Sequence, residues 1–217
     1  MRLFTKIVRF AITTSMILTQ FTEVSRAGHT IKCTNIVRNM IIFDNKMPSI
    51  YLEKDFHIDE RLKSSIYSME HIFPRSHMSI KHANDMHNVI RTINTLNVNR
   101  SNYEFVDADM IDAKEKKHWI KLDFGNYVNH KKKQFIPNSA SRGFIARAIL
   151  YMCREYDYNH HKIISKCTLA KWFFEYPPTK EEKYHNEVIR KLQNKNNIFI
   201  SNYNKKKSDF AKLIEKL

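Results

Sequence analysis

The sequence predicts an α+β fold in one mainly helical domain, and three observations carry that expectation. Its 217 residues suit one ordinary globular domain and are too few for two. An apolar share of 42% against 27% charged, with three glycines and five prolines, is the balance of a chain that folds around a core. Helical periodicity dominates the C-terminal half, whereas strand-like alternation is confined to short stretches nearer the middle.

Residues 1–27 have the order of a secretory signal: Arg2, Lys6 and Arg9, then an apolar stretch from Phe10 to Leu18, then small Ser25 and Ala27. Cleavage is expected after Ala27, which places the chain in a secreted or periplasmic-type compartment. An ordinary amphipathic N-terminal helix is the alternative, because Thr13, Thr14 and Ser15 interrupt the apolar run. That run is shorter than the roughly 20 apolar residues a membrane-spanning helix needs, and no other segment approaches that length. No stable membrane association is expected after signal removal, and the protein is expected to be a monomer.

Residues 28–61 mix short apolar runs with polar breaks and predict at most one or two short strands and a helix. From Ser65 to His71 the chain alternates as a strand does, and Pro74 prevents the ladder from continuing far. The polar segment His77 to Asn84 reads as a loop, Met86 to Thr92 as a second short strand and Ile93 to Tyr103 as a helix. Residues 104–137 read as irregular, with strand material around Trp119 to Phe124 and a basic turn at Lys131 to Lys133. The clearest helix runs from Ser141 to Tyr156, where Phe144, Ile145, Ala148, Ile149, Tyr151 and Met152 build an apolar face after the polar start Asn138 to Ser141. Further helices are predicted over Lys166 to Phe174, before Pro177 and Pro178, and over Lys180 to Gln193, with Glu181 and Glu182 at its positive end. A short terminal helix is predicted over Lys206 to Leu217.

Thirty-seven Lys and Arg against twenty-two Asp and Glu leave a formal charge of +15, a field that attracts polyanions such as nucleic acid or anionic membrane. The excess recurs at Lys114 to Lys117, Lys131 to Lys133 and Lys205 to Lys207, so it is spread along the chain. The three cysteines, Cys33, Cys153 and Cys167, lack the C-x-x-C spacing of a zinc ribbon. In an oxidising compartment a Cys153 to Cys167 disulfide and one odd thiol are expected.

Three side chains combine the groups that phosphodiester hydrolysis needs. His71 titrates in the range suited to a general base near neutral pH. Glu70 offers a hard oxygen, and Asn97 a neutral one through its amide carbonyl, which suits Mg²⁺. Adjacent strand residues point to opposite faces, so the strand is expected to end or bulge at Glu70 and His71 for both to serve one site. Within a helix over 93–103, Asn97, Arg100 and Ser101 would share a face and present a metal ligand beside a cation. Arg142 and Arg147, at the start of the strongest helix, are candidates for binding phosphate. Trp119, Trp172, Tyr103 and Phe105 are candidates for base stacking, though aromatic residues in a helical protein usually belong to the core.

Two segments, S-M-E-H-I-F-P-R-S at Ser68 to Ser76 and D-M-H-N-V-I-R-T-I-N-T-L-N-V-N-R-S-N-Y-E-F at Asp85 to Phe105, resemble the signature segments of the bacterial endonuclease I family. The stretches R-G-F-I-A-R-A-I-L-Y-M at Arg142 to Met152 and H-N-E-V-I-R-K-L-Q at His185 to Gln193 fit the same family, in the same order. The resemblance implies a secreted nuclease over residues 28–217, built on a ββα-metal, or His-Me, finger of one small antiparallel hairpin and a following helix. It implies His71 as general base, Glu70 and Asn97 as ligands of Mg²⁺ or another divalent cation such as Mn²⁺ or Ca²⁺, and products with 5′-phosphate and 3′-hydroxyl ends. Arg100 is expected to act at the phosphate, Arg75, Arg142 and Arg147 to bind substrate, and Asp85, His87, Ser101 and Asn102 to support the site. The partner implied is DNA, and RNA as well, cut with little sequence preference through backbone contacts.

The chain departs from the family pattern where Arg91 replaces a usual proline, where Phe144 replaces a common Asp, and at Lys195 to Ile198, where Asn-Arg-Asn-Pro is typical. None of these removes a proposed catalytic group. The competing reading is a catalytically inactive basic protein that binds or packages nucleic acid; a membrane-targeting protein would need a surface-seeking helix that the sequence lacks.

Overall fold

The computed structural model describes residues 44, 46–53, 56, 63–111, 113–205 and 207–217. The segment read as a signal, and Cys33, lie outside the described residues. The fold is α+β, and the described residues form two small sheets set against a group of helices.

A helical turn, α1 (Lys63–Ile66), leads into strand β1 (Tyr67–His71), so the strand starts two residues later than the alternation suggested. It pairs antiparallel with β2 (Val89–Ile93), Tyr67 opposite Ile93 and His71 opposite Val89. Every residue of β2 is buried. The segment 47–51 covers it: Ile50 N donates to Arg91 O and Thr92 Oγ1 to Ile50 O, each at 2.9 Å. Arg91 adds to this seam, donating from Nε to Ser49 Oγ and from Nη2 to Met47 O. The cation at this position is thereby consumed by the fold. The connection between the strands, 72–88, carries two 3₁₀ turns, Arg75–His77 and Ile80–His82.

Helix α2 (Asn94–Arg100) packs on both strands. It ends three residues earlier than predicted because Ser101 turns to φ 53°, ψ −130°, outside helical space. Ser101 therefore does not continue the helical face of Asn97 and Arg100.

The second sheet comprises β3 (Glu104–Phe105), β4 (Ile120–Lys121), β5 (Tyr127–Asn129) and β6 (Gln134–Ile136), in the order β3-β6-β5-β4. Only β4 falls where strand was expected. Strands of two or three residues are too short to express a period of two.

Helix α3 (Ser139–Tyr156) begins at Asn138, whose Oδ1 accepts from Ser141 N at 3.1 Å. Its positions from Gly143 to Cys153 are all buried, so it is a central helix rather than one with a single apolar face. Helices α4 (Lys166–Glu175) and α6 (Ile198–Ser201) pack on it, α5 (Lys180–Gln193) packs on α6, and α7 (Lys207–Lys216) packs on α4. Ser165 and Thr179 cap α4 and α5 by accepting from Thr168 N and Glu182 N. Gly143 is required by a close approach: a Cβ there would collide with the Tyr176 carbonyl oxygen and with Arg147.

Cys153 and Cys167 are both free thiols, which corrects the expected disulfide. Cys153 faces the core and burial pushes its thiol up to about 12, whereas Cys167 is exposed on α4. Trp172 and Phe105 are fully buried and so are unavailable for stacking on bases.

Candidate active site

A cleft of about 820 Å³ opens along β1 and the start of the β1–β2 connection. Its walls include Ser68, Glu70 and His71 from β1, Arg75 and Ser76 from the first 3₁₀ turn, Asn97 from α2, and Ser101 and Asn102 beyond it. Strand β1 ends at His71 without a bulge, Glu70 lying opposite Ile90 and His71 opposite Val89 in regular register. The ending, rather than a bulge, lets neighbouring residues reach one cleft.

Glu70 is 2% exposed, and among the described residues only one of its carboxylate oxygens is occupied. Oε1 accepts from the Tyr51 hydroxyl at 3.0 Å and lies 3.1 Å from Arg100 Nε, a charge contact rather than an aligned hydrogen bond. Burial raises the carboxyl to about 7, against the opposing pull of Arg100 and the Tyr51 hydrogen bond. Oε2 accepts no hydrogen bond among the described residues and is the oxygen left for the cleft.

His71 is half-buried, and its Nε2 lies 2.9 Å from Ala83 O. A carbonyl can only accept, so Nε2 carries the proton and Nδ1 of the neutral ring holds a lone pair. Burial lowers the pKa of this imidazole, the Ala83 hydrogen bond opposes that shift, and Arg75 adds to it. Asn97 is oriented in the same way. Its Nδ2 donates to Ser68 Oγ at 2.9 Å and to Met69 O at 3.2 Å, which fixes Oδ1 as the free acceptor.

Among the described residues no group of three or more His, Cys, Asp or Glu side chains is placed to hold a metal. Glu70 Oε2 and Asn97 Oδ1 supply two hard oxygens, and Mg²⁺ is commonly held by one or two protein oxygens with water and phosphate completing the shell. The donor set fits such a cation.

Of the arginines considered from sequence, Arg75 lines the cleft and is exposed. Arg100 is fully buried behind Glu70, with Nη2 donating to Ile72 O, Nη1 to Ser101 O and its guanidinium over the Phe105 ring. It cannot reach a phosphate from there, which corrects its expected place at the reacting group. Arg147 is likewise consumed, its Nε and Nη2 each 2.6 Å from the Glu182 carboxylate and its Nη1 bonded to Tyr176 O. Arg142 lies outside the cleft, donating to Pro137 O and the Tyr176 hydroxyl.

Asp85 and His87 are buried beside the cleft rather than in it. Asp85 Oδ2 accepts from the Tyr151 and Tyr156 hydroxyls at 2.8 and 2.6 Å, and His87 Nε2 donates to Lys195 O at 2.8 Å. Together they fasten the β1–β2 connection to α3 and to the segment after α5. Asn102 Nδ2 reaches Ser76 Oγ at 3.2 Å across the cleft lip.

Sequence reading missed Tyr51. It is fully buried at φ 66°, its N donating to Ser141 Oγ and its O accepting from Asn126 Nδ2. A left-handed tyrosine held from both ends is the kind of strained residue that gathers at functional sites.

The fold and the cleft thus define an α+β protein whose polar site is assembled on an antiparallel strand pair and the helix that follows it. Comparison with known proteins matches residues 22–204 to the family model described as Endonuclease I, and the chain belongs to that family. It is 35% identical over 117 residues to an extracellular deoxyribonuclease of Aeromonas hydrophila, covering 54% of this chain and 48% of that protein. It is also 35% identical over 118 residues to a periplasmic deoxyribonuclease of the same organism, covering 54% and 46%. The match spans about half the length of these curated relatives. Helix α7 lies beyond the end of the family match.

Proposed function

We propose that this chain is a divalent-metal-dependent endonuclease that hydrolyses DNA, and RNA as well, with little sequence preference, through a His-Me finger formed by β1, β2 and α2. The observation that carries the reading is the convergence of a tautomerically fixed His71 with two free hard oxygens, Glu70 Oε2 and Asn97 Oδ1, in one cleft. A bound divalent cation would offset the charge that builds on the phosphate and on the leaving oxygen. His71 Nδ1 takes a proton from the attacking water as its oxygen bonds to phosphorus. The bond from phosphorus to the 3′-oxygen breaks, and that oxygen takes a proton from solvent, leaving 5′-phosphate and 3′-hydroxyl ends. Arg75 holds a non-bridging phosphate oxygen, while Arg100 and Tyr51 keep Glu70 oriented.

The names of the matched relatives, an extracellular and a periplasmic deoxyribonuclease, support DNA as a substrate and export of this chain. The reading takes residues 28–217 as one monomeric nuclease domain. Low sequence preference follows from contacts made to phosphate alone. The test is digestion of plasmid DNA and single-stranded RNA with Mg²⁺, Mn²⁺ or Ca²⁺ and with EDTA, followed by end analysis. Cleavage that EDTA abolishes and that leaves 5′-phosphates supports the reading; metal-independent cleavage or 3′-phosphate ends overturns it.

A further inference from the structure

The tip that joins β5 to β6 is His130-Lys131-Lys132-Lys133, four consecutive exposed residues. Its shape is fixed from within. Asn129 is buried and accepts from Lys132 N at 3.0 Å, and Lys133 sits at φ 55°, the left-handed region that Gly or Asn adopts at less cost than a lysine. A cation therefore occupies the position where turn geometry favours glycine.

The tip is also tied to the lip of the cleft. Glu104 N donates to Lys133 O at 2.9 Å, and the Tyr103 hydroxyl lies 3.2 Å from His130 Nδ1. Tyr103 directly follows Ser101 and Asn102, which line the cleft. Consecutive Cα atoms are about 3.8 Å apart, so Tyr103 is within about 8 Å of Ser101. Among the described residues no carboxylate pairs with Lys131 or Lys133, and the nearby Glu104 Oε2 accepts from Gln134 Nε2.

We propose that this tip is a second phosphate-binding subsite, which holds backbone phosphates of the substrate strand a few nucleotides from the scissile one. The inference deepens the nuclease reading and rests on its assignment of the cleft. Charge recurs about every 3.4 Å along each strand of a duplex, so a strand leaving the cleft past Ser101 and Asn102 brings phosphates to the tip. Lysines meet them as point charges, adding affinity at any base sequence.

The test measures duplex DNA binding against salt, with every variant in a His71→Ala background so that binding does not depend on cleavage. The variant Lys131→Gln with Lys133→Asn removes both charges while keeping a residue that tolerates the left-handed turn. Its expected slope of log K against log salt is shallower by about 1 to 2, with affinity about tenfold lower at low salt. The pair Lys212→Gln and Lys216→Gln on α7, which borders a separate groove with α4, is expected to leave the slope unchanged. The subsite is overturned if the tip pair leaves the slope unchanged or if both pairs flatten it equally. It is also overturned if the tip pair weakens only binding to phosphatidylserine vesicles. A changed slope, alongside a protein with His71 intact that never cleaves under any divalent cation, would sink the nuclease reading and leave the phosphate-binding tip standing; cleavage by that protein with an unchanged slope would do the reverse.

Discussion

Tyr51 donates its hydroxyl to Oε1 of Glu70 at 3.0 Å across 19 positions of sequence, from a stretch in which no pattern is legible. With Arg100 against the same oxygen, one side of the carboxylate is fastened to the protein and the other is presented to the cleft. Hydrogen bonds to charged groups are worth about 1.5–3 kcal/mol. Tyr51→Phe is therefore expected to raise the Mg²⁺ concentration for half-maximal cleavage by about tenfold and to weaken Mg²⁺ binding measured by calorimetry. An unchanged metal requirement would remove Tyr51 from the site.

Arg75 and Arg147 carry the same charge and different duties. Arg75→Ala is expected to lower the cleavage rate by about 10² or more, the scale of a lost donor to developing charge, with the unfolding midpoint unchanged. Arg147→Ala strands Glu182 in the core and is expected to cost about 3–5 kcal/mol of stability. Denaturant unfolding of the two variants side by side separates these roles; comparable destabilisation by both would contradict the assignment.

Acid is expected to unfold the protein through its buried histidines. Burial, with a contribution from His87, lowers the His185 pKa to about 3, and neither ring nitrogen has a hydrogen-bond partner among the described residues. Burial also lowers His87, where the hydrogen bond to the Lys195 carbonyl, Asp85 and Glu155 oppose the shift and the Lys195 charge adds to it. Between the unfolded value near 6.5 and the folded value near 3, the unfolded chain binds a proton that the folded chain does not. The stabilising contribution is thus full above about pH 6.5 and is lost as pH falls, by about 3 kcal/mol at pH 4 for His185 alone. His185→Leu should flatten the fall in denaturant midpoint between pH 7 and pH 4; an unaltered profile would count against this origin.

The elements that long periodicity specifies were legible: α5 spans the predicted Lys180 to Gln193, and α3, α4 and α7 differ from expectation by one or two residues at an end. The second sheet was hidden because its strands are too short to show a pattern, and Tyr51 was hidden because its value comes from tertiary contacts. At the site, Glu70, His71, Asn97, Arg75, Ser101 and Asn102 do share one cleft. Arg100 and Arg147 were misjudged because a cation in sequence carries no mark of burial. Arg147 had a signal, since Ala146, Ala148 and Ile149 leave it little polar surface on the helix.

The central claim is that His71, with its Nδ1 free, drives metal-dependent cleavage. The direct measurement is plasmid cleavage by wild type and His71→Ala in Mg²⁺, with DNA binding read in parallel. A loss of about 10² to 10⁴ in rate at unchanged affinity is the predicted result. Equal cleavage by both proteins, or a wild type that binds and never cuts under any divalent cation, would contradict it and leave a basic nucleic-acid-binding protein.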